Sequence, residues 1–138
     1  MDLLKELQEM FFGTPGLKVK IIRCEPVGSR VTCDPPVMNT DRDVLLLVDH
    51  LKRFCDAAGY LWFQVAHSMA EKGVSCFQSV KKGELNLIAT DSDEFFKRFM
   101  AATYVAKRLN LLKRCDRVAL FQAVLYGNEC HNATARRA

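Results

Sequence analysis

Asp41 and Asp43, with Arg42 between them, stand at the mouth of the run Val44-Leu45-Leu46-Leu47-Val48. Side chains alternate along a strand, so a strand beginning by residue 41 points both carboxylates the same way, and its apolar continuation anchors that direction in the core. Two carboxylates that close repel each other and titrate anomalously unless a cation lies between them. Such hard oxygen ligands suit magnesium, with manganese as its substitute, held together with the phosphates of a nucleotide. That arrangement lowers the cost of charge developing on a leaving phosphate.

Gly28-Ser29 lies upstream, followed by eleven residues and then Asp41. A glycine permits close backbone approach, and the next amide and hydroxyl can donate to phosphate oxygens. Arg30 adds a guanidinium that can bind phosphate through two hydrogen bonds. Alone, Gly-Ser is a turn, and Asp-x-Asp entering a strand is edge chemistry. Their combination with an apolar strand directly after the second aspartate is rarer, and it is the minimum equipment for nucleotidyl transfer.

The elements that must position these residues follow from periodicity. Leu3, Leu4, Leu7, Met10 and Phe11 predict a helix over 2–12, ended by the turn Gly13-Thr14-Pro15-Gly16. The alternation from Leu17 to Ile22 predicts a strand, and the prolines within 25–40 predict a loop. Residues 42–48 read as a strand apolar on both faces, which suits a sheet covered on both sides. Asp49 is expected to cap a helix carrying Leu51, Phe54, Cys55 and Ala58 inside and closing at Gly59. Residues 60–67 read as extended. Residues 77–80 and 84–88 form a hairpin about Lys81-Lys82-Gly83.

Asp91-Ser92-Asp93-Glu94 then starts a helix with Phe95, Phe96, Phe99, Ala102, Thr103, Ala106 and Leu109 buried. A second helix is expected from about Asp116 to Tyr126, closing at Gly127, with Val118, Leu120, Phe121, Val124 and Leu125 inside. The expected fold is α/β (α+β): a mixed β-sheet flanked by helices, with a helical C-terminal third. One domain covers 1–128, and 129–138 reads as a polar tail.

Composition narrows the alternatives. The chain of 138 residues suits one core, and 49% apolar with 26% charged residues argues against wholesale disorder. No apolar block approaches the roughly 20 residues of a membrane span, and MDLLKELQEMFF carries acids unlike a signal peptide, so a cytoplasmic location is expected. The net charge of +4 favours an anionic ligand but is weak for a dedicated nucleic-acid binder. Six cysteines without a C-x-x-C pair read as reduced thiols, including Cys130 beside His131. His67 and Trp62 read as structural or partner-facing, and the acceptor-like Asn132-Ala133-Thr134 has no secretory context.

The pattern Gly28-Ser29, eleven residues, then Asp41-x-Asp43 and aliphatics resembles the signature of the DNA polymerase β-like nucleotidyltransferase superfamily, in its minimal single-domain form. GELNLIATDSDEFFKRFMAATYVAKRLNLL and DRVALFQAVLYG resemble small phage-encoded nucleotidyltransferase-like proteins, and the two resemblances span roughly residues 17–128. The resemblance implies that Gly28 and Ser29, with Arg30, hold a triphosphate and that Asp41 and Asp43 bind the metal. It also implies a third carboxylate on a neighbouring strand that helps deprotonate the acceptor. Glu84 is the candidate, while Asn86, two residues on and on the same face, equally fills the position and would touch the nucleotide. The chain departs from the family pattern at Asn86, at Arg42, where an apolar residue is usual, and in its longer loop with Pro35-Pro36.

The expected activity moves a nucleoside monophosphate from a nucleoside triphosphate to an acceptor, either a protein, a nucleic-acid end or a small molecule, with a homo-oligomer as one assembly. The competing reading is a degraded nucleotidyltransferase fold, phage-encoded and at work in host cytoplasm, that acts by binding a host protein or nucleotide.

Overall fold

Val44 to Val48 are all buried, yet they belong to two different cores. The computed structural model of the chain describes residues 5, 7, 19–36, 41–58, 63–65 and 77–137. Its strands are β1 (Ile21–Val27), β2 (Arg42–Val48), β3 (Phe63–Val65), β4 (Phe77–Lys82) and β5 (Leu85–Thr90). Its helices are the single turn α1 (Ser29–Thr32), α2 (Leu51–Ala58), α3 (Asp93–Leu109) and α4 (Arg114–Arg137). The strands form one mixed sheet in the order β1-β2-β5-β4-β3, in which only β2 and β5 run parallel. The architecture is a mixed sheet flanked by helices, with helices closing the C-terminal part.

Alternation along β2 builds both faces. Val44, Leu46 and Val48 join Leu7, Phe54 and Ala57 on one side. Leu45 and Leu47 join Phe95, Phe96, Phe99 and Phe121 of α3 and α4 on the other. On that second side Phe77 stacks on Phe95 at 4.9 Å between centroids, and Phe121 meets Phe99 edge-on at the same distance.

The first strand lies later than its alternation predicts. It begins at Ile21 and runs to Val27, so the loop expected over 25–40 starts only after it and contains α1. A bulge between Ile21 and Arg23 also breaks the alternation within β1: an extra residue in one strand exchanges its faces. Ile21 therefore packs on the α2 side while Val27 packs on the α3 side. Pro26 is tolerated because β1 is an edge strand, where a missing N–H leaves no ladder bond unmade.

Three further expectations are corrected. Asp49 does not cap α2; its Oδ1 accepts from Lys20 N at 3.1 Å, and His50 Nδ1 accepts from Arg53 N at 3.3 Å as the cap. Leu109 is 61% exposed, because Asn110 turns left-handed (φ 49°) and Leu111 packs on the core instead. Gly127 does not close the last helix, which continues to Arg137 through the segment expected as a tail; one helical glycine costs only about 1 kcal/mol. The start of α3 follows its sequence signals: Ser92 Oγ accepts from Phe95 N at 3.1 Å, with Asp93 and Glu94 in the first turn. Helix 2–12, apart from residues 5 and 7, lies outside the described residues, as do the turn at 13–16, Gly59, Trp62 and His67. Among the described residues, no helix is long and apolar enough to cross a membrane.

Candidate functional site

The site is built on one row of the sheet. Val27, Asp43, Asn86 and Lys81 are successive register partners across β1, β2, β5 and β4. Their neighbours one step inward on the same face are the core residues Leu45 and Ile88, so this row lies where the α3-side core gives way to polar side chains.

Asp43 is the centre of the row. Asn86 Nδ2 donates to its Oδ1 at 2.9 Å. A Cβ added to Gly28 would overlap its Oδ2, so the Gly28 backbone lies directly against the carboxylate. Gly28 also has φ +83°, a conformation that side chains rarely adopt, and it opens α1 by accepting from Val31 N at 2.9 Å and Thr32 N at 3.0 Å. These two requirements make residue 28 a glycine.

Burial, first of all, pushes the Asp43 carboxyl above its ordinary range. The Asn86 hydrogen bond opposes that rise, the Asp41 charge adds to it, and the Arg30 and Lys81 cations draw it back. The Asp41 charge therefore bears directly on Asp43.

Two ion pairs bracket this centre. Lys81 Nζ reaches Asp41 Oδ1 at 2.9 Å, both side chains being part-exposed. Arg30 Nη2 stands 3.6 Å from Glu84 Oε2. Glu84 lies in the β4–β5 turn rather than in the strand expected from residue 84, and its side chain is 73% exposed. Its backbone is fixed nonetheless, since Arg42 N donates to Glu84 O at 2.7 Å. Gly83 supplies the positive φ (61°) that a two-residue hairpin turn needs at its first position.

The structure therefore brings Gly28, Asp43 and Asn86 into contact, and Asp41, Arg30 and Glu84 to the same edge. Ser29 begins α1 beside them. Lys81 is the residue that the reading of motifs missed. Its signal was the hairpin itself: a two-residue turn at Gly83-Glu84 pairs Lys82 with Leu85 and hence Lys81 with Asn86.

The α1 end of the site is tied to the helical layer. Asp34 N donates to Asn110 Oδ1 at 2.9 Å, and Asn110 Nδ2 returns to Asp34 O at 3.2 Å. Arg117 Nη1 donates to Leu111 O at 2.9 Å and Leu112 O at 2.7 Å and lies 3.4 Å from Cys33 Sγ. These contacts join the segment after α1 to the α3–α4 junction.

Among the described residues, no group of three or more His, Cys, Asp and Glu side chains converges as a metal cage. Hard oxygen donors at this edge are the Asp41, Asp43 and Glu84 carboxylates, and Asn86, whose Nδ2 faces Asp43, adds its amide oxygen Oδ1. That amide oxygen is buried and makes no hydrogen bond among the described residues. No family model, curated protein or solved structure matches the chain.

Proposed function

We propose that the row around Asp43 binds a nucleoside triphosphate with magnesium and transfers its nucleoside monophosphate to an acceptor. The observation that carries this reading is the seat of the Asp43 carboxylate on the Gly28 backbone. It unites a glycine turn able to meet phosphate with a carboxylate pair able to meet a cation.

The donors fit a hard divalent ion. Asp41 and Asp43 lie two residues apart, the Asp41 charge bears on Asp43, and the buried Asn86 amide oxygen makes no hydrogen bond among the described residues. Magnesium on the two aspartates, or manganese in its place, would supply charge screening for the triphosphate and the departing pyrophosphate.

The chain's own residues orient the rest. Gly28 and Ser29 would receive the phosphates, with Arg30 as a second cation on that side. Asn86 holds Asp43 in place through its amide hydrogen. Glu84, a further carboxylate at this edge, would take the proton of an acceptor hydroxyl arriving from solvent. Catalysis on this plan rests on positioning and charge stabilisation, without a covalent enzyme intermediate.

A second reading is favoured by Asn86. The position beside Asp43 on the neighbouring strand holds an amide, which cannot act as a base, while Glu84 stands in the turn and faces Arg30. On that reading the fold binds a nucleotide or a protein and does not turn over.

Incubation with labelled nucleoside triphosphates, magnesium or manganese, and a cell lysate as acceptor source separates the two. Label transfer that disappears in Asp41→Ala and Asp43→Ala supports the enzyme. Nucleotide binding without transfer under every condition supports the second reading.

A further inference from the structure

We infer that Lys81 is an exchangeable counter-ion: it holds Asp41 until a divalent cation arrives and then turns to the polyphosphate. The inference rests on the proposed nucleotide site and deepens it. Three observations carry it.

The first is reach. Lys81 stands in the same sheet row as Asn86 and Asp43, two strands from β2, yet its ammonium lies 2.9 Å from Asp41 Oδ1. A flexible four-carbon stem makes this crossing, and a compact ammonium with three rotatable donors can leave it at little steric cost.

The second is exposure. The Lys81 and Asp41 side chains are 38% and 41% exposed, unlike the aspartate behind them, which is shielded by Gly28 and Asn86. An ion pair so open to water contributes little to stability and can be exchanged for another partner.

The third is charge. On this face of the sheet, among the described residues, Asp41, Asp43 and Glu84 face Arg30 and Lys81, three carboxylates to two cations, while Arg42 alternates to the other face. With Asp43 ionised the cluster carries excess negative charge and disfavours a bare polyphosphate. A divalent cation on the aspartates reverses that sign and displaces the like-charged ammonium from Asp41. The freed ammonium then lies beside bound phosphate, where a charge-assisted hydrogen bond is available. Metal and polyphosphate binding are thereby coupled through one side chain, and Lys81 acts as a substrate-binding residue.

The test measures two affinities without turnover: Mn²⁺ alone by electron paramagnetic resonance, and inorganic tripolyphosphate in saturating Mn²⁺ by calorimetry. Lys81→Gln should bind Mn²⁺ about fivefold more tightly, because a competing ion pair is gone. The same variant should bind tripolyphosphate about tenfold more weakly, because a charged hydrogen bond is gone. Lys81→Arg keeps the charge and should stay near wild type in both. Lys97→Gln makes the same charge change on exposed α3 and should alter neither. A Lys81→Gln protein that matches wild type, or that changes in only one affinity, overturns the exchange while leaving the nucleotide site standing. A wild-type protein that binds no Mn²⁺ overturns the nucleotide site and the exchange with it.

Discussion

Asn86 and Asp43 stand opposite each other on the two parallel strands, and the Asn86 amide donates to the Asp43 carboxylate at 2.9 Å. An amide hydrogen at that position favours the charged form of Asp43, against the burial that disfavours it. Among the described residues, the site thus keeps a half-buried carboxylate without giving it a direct ion pair.

Gly28→Ala should damage both fold and site. Its Cβ would overlap Asp43 Oδ2, and its φ of +83° is strained for alanine. The expected loss is on the order of 2 kcal/mol, read by urea denaturation, together with loss of nucleotide binding. An alanine variant of unchanged stability would refute the contact.

Asp43→Asn should raise the melting temperature at neutral pH. Burial raises the carboxyl above its ordinary value of 3.8, so the folded protein binds that proton more tightly than the unfolded chain. Wild-type stability from this group therefore falls as pH rises from about that value through the raised folded one, and the penalty is complete above it. The advantage of the amide should shrink on acidification and vanish where Asp43 is protonated in both states. Thermal melts of the two proteins across pH measure it.

Asn110→Ala should loosen the clasp between α3 and the segment after α1. It removes both hydrogen bonds to Asp34 and places alanine at φ 49°. A loss of about 1–3 kcal/mol is expected in chemical denaturation. Asn110→Gly should recover part of it, since glycine accepts the left-handed turn.

Thiol labelling should separate two cysteines. Cys115 is exposed, whereas burial first, and then the charges of Asp56 and Asp91, push the Cys55 thiol up. Cys115 should react with a maleimide reagent well before Cys55, because the thiolate is the reactive form. Mass mapping of the labelled protein gives the order.

The legible parts of this fold are those whose signals are local. The aliphatic run of β2, the glycine turn of the hairpin and the Ser92 cap each act within a few residues; β2 and the cap lie where their patterns predict, and the hairpin forms with its turn shifted to Gly83-Glu84. What escaped is set by distant partners. Asp49 is drawn away from α2 by Lys20, 29 residues earlier, so His50 caps instead. The bulge at Ile22 exchanges the faces of β1, and nothing in its alternation announces it. Leu109 continues a buried stripe that ends because Asn110 bonds to Asp34, 76 residues away. In the site, Gly28 and Asp43 were legible as a pair by type and spacing. The reach of Lys81 to Asp41 was not, because it depends on two strand pairings at once.

Calorimetric titration of ATP in the presence of magnesium tests the central claim most directly. The account predicts saturable binding to the wild-type protein that requires the metal and is lost in Asp43→Asn, although that variant is the more stable one at neutral pH. Absence of ATP binding with magnesium or manganese, or binding that Asp43→Asn leaves intact, would contradict it.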